Sequence, residues 1–518
     1  MIPADPRSLG VPHDQWLGLQ REALELITKS TKRFFLMEGA TGVGKSSVAS
    51  ALSPLLRMNV LAVTRTKGLQ QQYSDLYNFA TIKGRGNYPC AFLGDFTAED
   101  CAFSPMYLCP AHGCAYVEAK GVAKNAQRLT SNYSYFLLTK WLNERGGLLV
   151  LDEAHMAEDS ILSTSSILVS DNQRKRYGLP PFVPAKQLVL DFTNNPRDWM
   201  WKTRDWLNAC ITTLGAQGRM GEDSTPHERS AMRLKQKLER SRSLLHMGRW
   251  FIESGPLAFQ TKAGFVAGFQ ARPLLAKPYA AKMYEGFDRV LLMSATLDPA
   301  SIADTLDIPA GEWEGKRFQH PNPPDQRTAI HWITDCPPMS LSGRRKNPRA
   351  VEKQADLICA WVKEYARPDE KGVIFVTRWK ECEELAQRLT RRGVTGLWVP
   401  PRGGTEEQLE AFYRQPPGTI AITPGWRLGV DFNQSTGVRW FVVAKVPFED
   451  LSDPFNKARL DADGWNAYRY RAVLEMVQAC GRTRWGDDRP RGAIADGSWN
   501  SALNKKSPIW YQECIKKG

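Results

Sequence analysis

The chain of 518 residues contains no run of eighteen apolar residues, the length that a membrane-crossing helix needs. Its opening, MIPADPRSLGVPHDQ, has neither the basic start nor the apolar stretch of a secretory signal. These absences predict a soluble, cytoplasmic protein without a membrane partner. Cysteine is scarce: of ten in all, Cys210, Cys336, Cys359, Cys382, Cys480 and Cys514 stand alone and read as small buried hydrophobes. The tight C-x2-C pairs of zinc ribbons do not occur, and no nuclease motif stands at either end. A secreted disulfide scaffold is set aside on the same grounds.

What is present is long, mixed and basic. The length exceeds one ordinary core and suffices for two or three domains, and 42% hydrophobic residues with both charge signs mark a globular chain. Lys and Arg number 69 against 55 Asp and Glu, a net charge of +14, and there are 17 tryptophans. A basic excess draws polyanions and flat rings stack on unpaired bases, so composition points toward nucleic acid.

Apolar runs alternate with helical stretches along both halves. RFFLMEGATGVGKSSVASAL reads as a strand at Phe34 to Met37, a glycine-rich turn and a helix from Lys45. MNVLAVT, GGLLVLDEAH and DRVLLMSATLDP repeat the pattern, as do KGVIFVTR, GTIAITPG and VRWFVVAKVPF. Continuous apolar strands with helices between them indicate parallel sheets covered on both faces. Two stretches break the rhythm. Residues 84–115 are loop-like, and residues 156–285 carry long polar helices with little strand signal before GFVAGFQARPLL. The expected organisation is a first α/β domain at 1–83, 116–155 and 286–320, insertions at 84–115 and 156–285, and a second α/β domain at 325–518.

Gly39, Ala40, Thr41, Gly42, Val43, Gly44, Lys45 and Ser46 fit G-x-x-x-x-G-K-[ST] between a strand and a helix. In such a loop backbone amides wrap a phosphate at a helix N-terminus, the lysine reaches the β- and γ-phosphates, and the serine hydroxyl ligates magnesium. Asp152, Glu153, Ala154 and His155 close the strand Leu148 to Leu151. An acid at that end of a strand is placed to hold magnesium, and the next acid to orient and deprotonate the attacking water. Together the motifs predict an NTPase using Mg²⁺.

Four cysteines fall within 25 residues, Cys90, Cys101, Cys109 and Cys114, spaced C-x10-C-x7-C-x4-C. In a reducing cytosol such a cluster reads as metal ligands rather than disulfides. Taken alone, the four thiolates allow a [4Fe–4S] cluster acting as a structural clip, a zinc site with His112 as a competing ligand, or a redox role.

The ordered motifs from about residue 15 to about 497 resemble the XPD/DinG-like helicases of superfamily 2, iron–sulfur DNA helicases built on two RecA-like domains. Gln20 in LGLQREALELI matches that family's adenine-reading glutamine, VTRTKGLQQQY its strand-contacting segment, and KGRGNYPC its phrase at the first cluster cysteine. SNYSYFLL precedes the DEAH acids, MSATLDP resembles the coupling motif, VPFEDLSDP a second-domain segment and QACGRTRWGD the arginine motif. In GWRLGVDF, Gly429 and Asp431 fit, whereas Arg427-Leu428 stand where the family often has Trp-Glu. The arginine motif is also spaced differently around Arg484.

The resemblance implies two RecA-like parallel-sheet domains, with an iron–sulfur insertion and a mainly helical arch-like insertion in the first. It implies ATP bound by Gln20, the phosphate loop, Gly429 and Asp431. Lys45, Asp152, Glu153, His155, Gln478, Arg482 and Arg484 are the expected catalytic groups, with Ser46 and Asp152 on magnesium. The cluster loop would lie beside the DNA, making Tyr88, Phe92 and Phe103 candidate base contacts as well as candidate core residues. In the arch-like insertion Arg229, Arg233, Lys235, Lys237, Arg240 and Arg242 form a basic helix suited to phosphates or to solvent. Trp199 and Trp206, seven apart, have core spacing.

The expected activity is an ATP-dependent DNA helicase moving on single-stranded DNA, 5′ to 3′ by resemblance, and opening forked duplex or R-loops. The alternatives are a strand-stimulated ATPase that remodels nucleoprotein complexes and a non-enzymatic DNA-binding protein. A minimal, monomeric repair motor is the expectation, nucleoid-associated if bacterial or phage.

Overall fold

The runs FFLME, VLAVT and LLVLD are buried at every position. Strands with no solvent face belong inside a parallel sheet covered on both sides. The computed structural model describes residues 2–40, 42–94, 96–101, 113–182, 187–191, 197–221, 223–261, 264–320, 323, 327–402, 404–427, 430, 432, 436–481 and 490–517. They divide into two units, the first comprising Met1–Phe318 with Leu451–Ala462, the second Gln319–Asp450 with Asp463–Gly518.

The first unit contains β1 (Phe34–Glu38), β2 (Val60–Thr64), β3 (Ala80–Thr81), β4 (Arg128–Asn132), β5 (Leu148–Asp152), β6 (Ile167–Ser170), β7 (Gln187–Asp191), β8 (Arg249–Thr261), β9 (Gly264–Pro273), β10 (Arg289–Ser294) and β11 (Trp313–Arg317). Seven of these form a sheet in the order β11-β1-β10-β5-β2-β4-β3, every pair parallel. Helices α1 (Gly18–Lys29), α2 (Lys45–Leu56) and α3 (Lys67–Tyr77) flank it. Register decides the site: Glu38 pairs with Ser294, and Met293 with Asp152, so β1, β10 and β5 end side by side. In open α/β sheets the carboxyl ends of the strands are where ligands bind.

The insertion over 156–285 holds the expected helices, Arg197–Gln217 and Pro226–Arg242 among them, but also a four-stranded antiparallel sheet in the order β6-β9-β8-β7. Trp206 packs its ring on Phe269 at 4.4 Å and on Phe182 at 5.2 Å, a core position as its spacing predicts; the side chain of Trp199 lies outside the described residues. Leu451–Ala462 joins this part of the unit: Phe455 lies under the Arg272 guanidinium at 3.8 Å, and buried Arg459 reaches Glu158 at 2.7 Å.

The second unit contains β12 (Ala329–Trp332), β13 (Lys371–Phe375), β14 (Leu397–Trp398), β15 (Ile420–Thr423), β16 (Val438–Val443), β17 (Arg491–Ile494) and β18 (Ile515–Lys517), all parallel in the order β14-β15-β13-β16-β17-β12-β18. The helical stretch Pro454–Cys480 breaks at Gly464, whose φ of 82° suits glycine, close to where the chain returns to this unit. Among the described residues no helix is long and apolar enough to cross a membrane.

Candidate functional site

The loop after β1 turns on two glycines in the left-handed region, Gly42 (φ 84°) and Gly44 (φ 77°), and Gly44 caps α2. A side chain at Gly44 would meet both that conformational cost and the Gln20 amide, whose nitrogen lies 2.0 Å from where its Cβ would stand. Gln20 is buried and holds the loop from behind: its amide donates to the carbonyls of Val43 (3.4 Å) and Gly44 (3.3 Å), while its oxygen accepts from Leu17 N (3.0 Å). The Lys45 ammonium, also buried, donates to the Gly39 and Ala40 carbonyls at 2.9 and 3.1 Å, so it lies folded back across the loop. Thr41 lies outside the described residues.

Asp152 is held on three sides. Tyr73 donates its hydroxyl to Oδ2 at 3.0 Å, the Glu153 amide donates to Oδ1 at 2.9 Å, and the Tyr133 hydroxyl donates to its carbonyl at 3.1 Å. Burial raises its pKa to about 6, aided by the neighbouring Glu153 charge and opposed by Lys45. Glu153 itself takes left-handed backbone (φ 53°), which costs a non-glycine residue about 1 kcal/mol. At that turn the chain leaves the sheet, and the Glu153 carboxylate meets His155 Nδ1 at 3.3 Å. His155 Nδ1 also lies 2.7 Å from Ser294 Oγ, and Ser294 bonds Thr296 Oγ1 at 3.2 Å. Thus the DEAH residues and the SAT segment form one hydrogen-bonded group at the ends of β5 and β10.

The donor set fits a magnesium phosphate on its own geometry. The Asp152 carboxylate, an oxygen ligand of the hard-cation type, bonds the Tyr73 phenol with Ser46 near that phenol and the Lys45 charge acting on the carboxylate. Sequence reasoning missed Tyr73, Tyr133 and the buried Glu38; a tyrosine within QQQY or NYSY carries no signal that its hydroxyl meets an acid on another strand.

A cavity of about 1430 Å³ opens in the same unit. Its wall carries eight cations, Arg65, Lys67, Arg85, Lys120, Lys140, Arg233, Lys237 and Arg240, against the carboxylates Glu99 and Glu144. Tyr133, Tyr135 and Trp141 face it as well. A positive trough with aromatic rings is chemistry suited to a single-stranded polyanion. The basic helix Pro226–Arg242 divides its cations: Arg229 is buried on the Ser224 carbonyl, Arg242 donates to Asn208 at 2.7 Å, and Lys235 lies 3.8 Å from Glu239. Arg233 pairs with Asp100 at 2.9 Å, so Lys237 and Arg240 are the cations of this helix most open to phosphate.

Cys90 and Cys101 are buried and Cys114 is half-buried. A bridge between Pro89 and Thr97 closes the turn after Cys90. Cys109, together with Phe103 and His112, lies outside the described residues. Among the described residues no three His, Cys, Asp or Glu side chains converge as metal ligands. Tyr88 packs on Tyr116 at 5.6 Å and accepts from Lys83 N, a packing role. In the second unit Gln478 is buried on its helix, while Gly429, Asp431, Arg482 and Arg484 lie outside the described residues.

No family model matches the chain, and no curated protein matches it. Solved structures do. An XPD helicase shares 13% identity over 96% of this chain and 98% of its own, with a TM-score of 0.63. Xpd4 of S. tokodaii shares 14% over 97% and 98%, TM-score 0.56, and an XPD structure described as apo shares 12% over 96% and 100%, TM-score 0.52. The chain therefore has the XPD helicase fold, two RecA-like parallel-sheet domains, as the ordered motifs imply.

Proposed function

We propose that the protein is an ATP-dependent DNA helicase that binds Mg-ATP at the end of β1 and moves along single-stranded DNA. The observation that carries this reading is the joining of the phosphate loop and the DEAH segment to the SAT segment at Ser294, whose carbonyl accepts from Gly39 N and whose hydroxyl meets His155, in one unit with a basic, aromatic cavity.

In this reading Lys45 leaves the Gly39 and Ala40 carbonyls to meet the β- and γ-phosphates. Ser46 and Asp152 would hold magnesium, which would supply positive charge against the phosphate oxygens. Glu153 orients the attacking water and accepts its proton, the step its place beside the metal carboxylate allows. His155 and Ser294 tie that carboxylate to β10, so a shift of the SAT segment moves the base. Gln478, Arg482 and Arg484 are assigned to the transferring phosphoryl group from the sequence motif alone, and Gly429 and Asp431 to the nucleotide likewise. Movement from 5′ to 3′, and forked duplex or R-loops as substrates, rest on the family resemblance.

Hydrolysis of ATP with and without single-stranded DNA tests the reading. Strand-stimulated turnover in the wild type, lost in Lys45→Ala, is expected; equal turnover in the variant would sink it. The four clustered cysteines are proposed to hold a [4Fe–4S] cluster that clips the loop over 84–115. Anaerobically purified protein should then be brown, with about four irons per chain. Colourless protein with stoichiometric zinc would replace that assignment.

A further inference from the structure

Tyr73 occupies a position that packing alone does not explain. Its ring is fully buried, edge-on to Phe79 at 5.1 Å and tilted against Tyr77 at 6.0 Å, an environment a phenylalanine would fill equally well. Its hydroxyl nevertheless bonds a side chain of a separate element, the Asp152 carboxylate at the end of β5, at 3.0 Å. The helix that carries it is pinned. Thr66 caps α3 by accepting from Leu69 N at 3.2 Å, and the Gln70 amide donates to the Ile82 and Thr130 carbonyls at 2.9 and 3.3 Å. The phenol is therefore a fixed donor, and with the Glu153 amide on Oδ1 it sets the rotation of the Asp152 carboxylate.

We propose that Tyr73 is the positioning residue of the magnesium site, holding the Asp152 carboxylate in the orientation that Mg²⁺ takes up. The proposal rests on the Mg-ATP reading above. A hydrogen-bond partner behind a metal ligand fixes that ligand's orientation, and its loss typically weakens metal binding by 10-fold or more. Magnesium is demanding in this respect because it accepts little departure from octahedral geometry.

Binding of a fluorescent ADP analogue, followed as Mg²⁺ is titrated, separates the outcomes. In Tyr73→Phe the Mg²⁺ concentration that half-tightens nucleotide binding should rise roughly 10-fold, while affinity in EDTA stays at the wild-type value. Tyr77→Phe is the matched control. It deletes a hydroxyl one turn along the same helix that bonds Ser47 at 3.0 Å, and its Mg²⁺ curve should be unchanged. Superimposable curves for wild type and Tyr73→Phe would overturn the proposal. A wild type whose nucleotide binding ignores Mg²⁺ would instead overturn the Mg-ATP reading beneath it. Should Tyr73→Phe not fold, 3-fluorotyrosine placed at position 73 gives a second measurement on a chain that keeps the hydroxyl. Its fluorine resonance should move when Mg²⁺ joins bound ADP, and a resonance that stays in place would refute the role.

Discussion

Glu38 ends β1 directly before the phosphate loop with 3% of its surface exposed, and burial lifts its pKa to about 7. Arg317, 3.5 Å away, pulls the pKa down and Asp298 pushes it up, both less than burial does. The folded value lies above the unfolded one, so the carboxyl's contribution is complete below about pH 4.5 and drains away as pH rises through about 7. The shift corresponds to about 3 kcal/mol. Glu38→Gln should accordingly gain stability over the wild type between pH 5 and pH 8, by up to about 3 kcal/mol. Urea unfolding of both proteins across that range checks it, and parallel profiles would contradict it. At this scale the sequence was legible for placement: Lys45 and Ser46 open α2 and Asp152 closes β5, as their motifs predict. Glu38 and Tyr73 were not, because their importance comes from burial and from partners on other strands.

The helix Pro226–Arg242 shows what a charge count hides. Its six cations read as one basic face, yet Arg229 is engaged by Ser224, Arg233 by Asp100, Arg242 by Asn208 and Lys235 by Glu239, leaving Lys237 and Arg240 at the cavity. Both side chains are exposed there. If each meets one phosphate of a single strand, Lys237→Ala with Arg240→Ala should flatten the slope of log affinity against log salt by about 1.4. Fluorescence anisotropy of a labelled oligonucleotide at several salt concentrations measures that slope; an unaltered slope would remove both residues from the strand's path. The strand β8 escaped sequence reading for a comparable reason. Gly255 and Pro256 interrupt its apolar pattern, and the pairing with β9 shifts register there, so the turn signals inside RWFIESGPLAFQT mask a strand.

Over the whole chain, the two parallel sheets were readable because buried strands have to be continuously apolar, and seven runs of that kind were present. The placement of Leu451–Ala462 with the first unit was not readable. Nothing in LSDPFNKARLDA announces that Phe455 seats under Arg272 or that Arg459 reaches Glu158, contacts that exist only once residues nearly 200 and 300 positions away have folded. The same holds for the proposed motor function: ATP chemistry is read from motifs, whereas coupling to a strand would depend on surfaces assembled from many segments. Strand displacement from duplexes carrying a single 5′ or 3′ tail tests that coupling most directly. ATP-dependent release from the 5′-tailed duplex, abolished by Lys45→Ala, is the expected result. No release from either duplex, with hydrolysis indifferent to single-stranded DNA, would contradict a helicase built on this site.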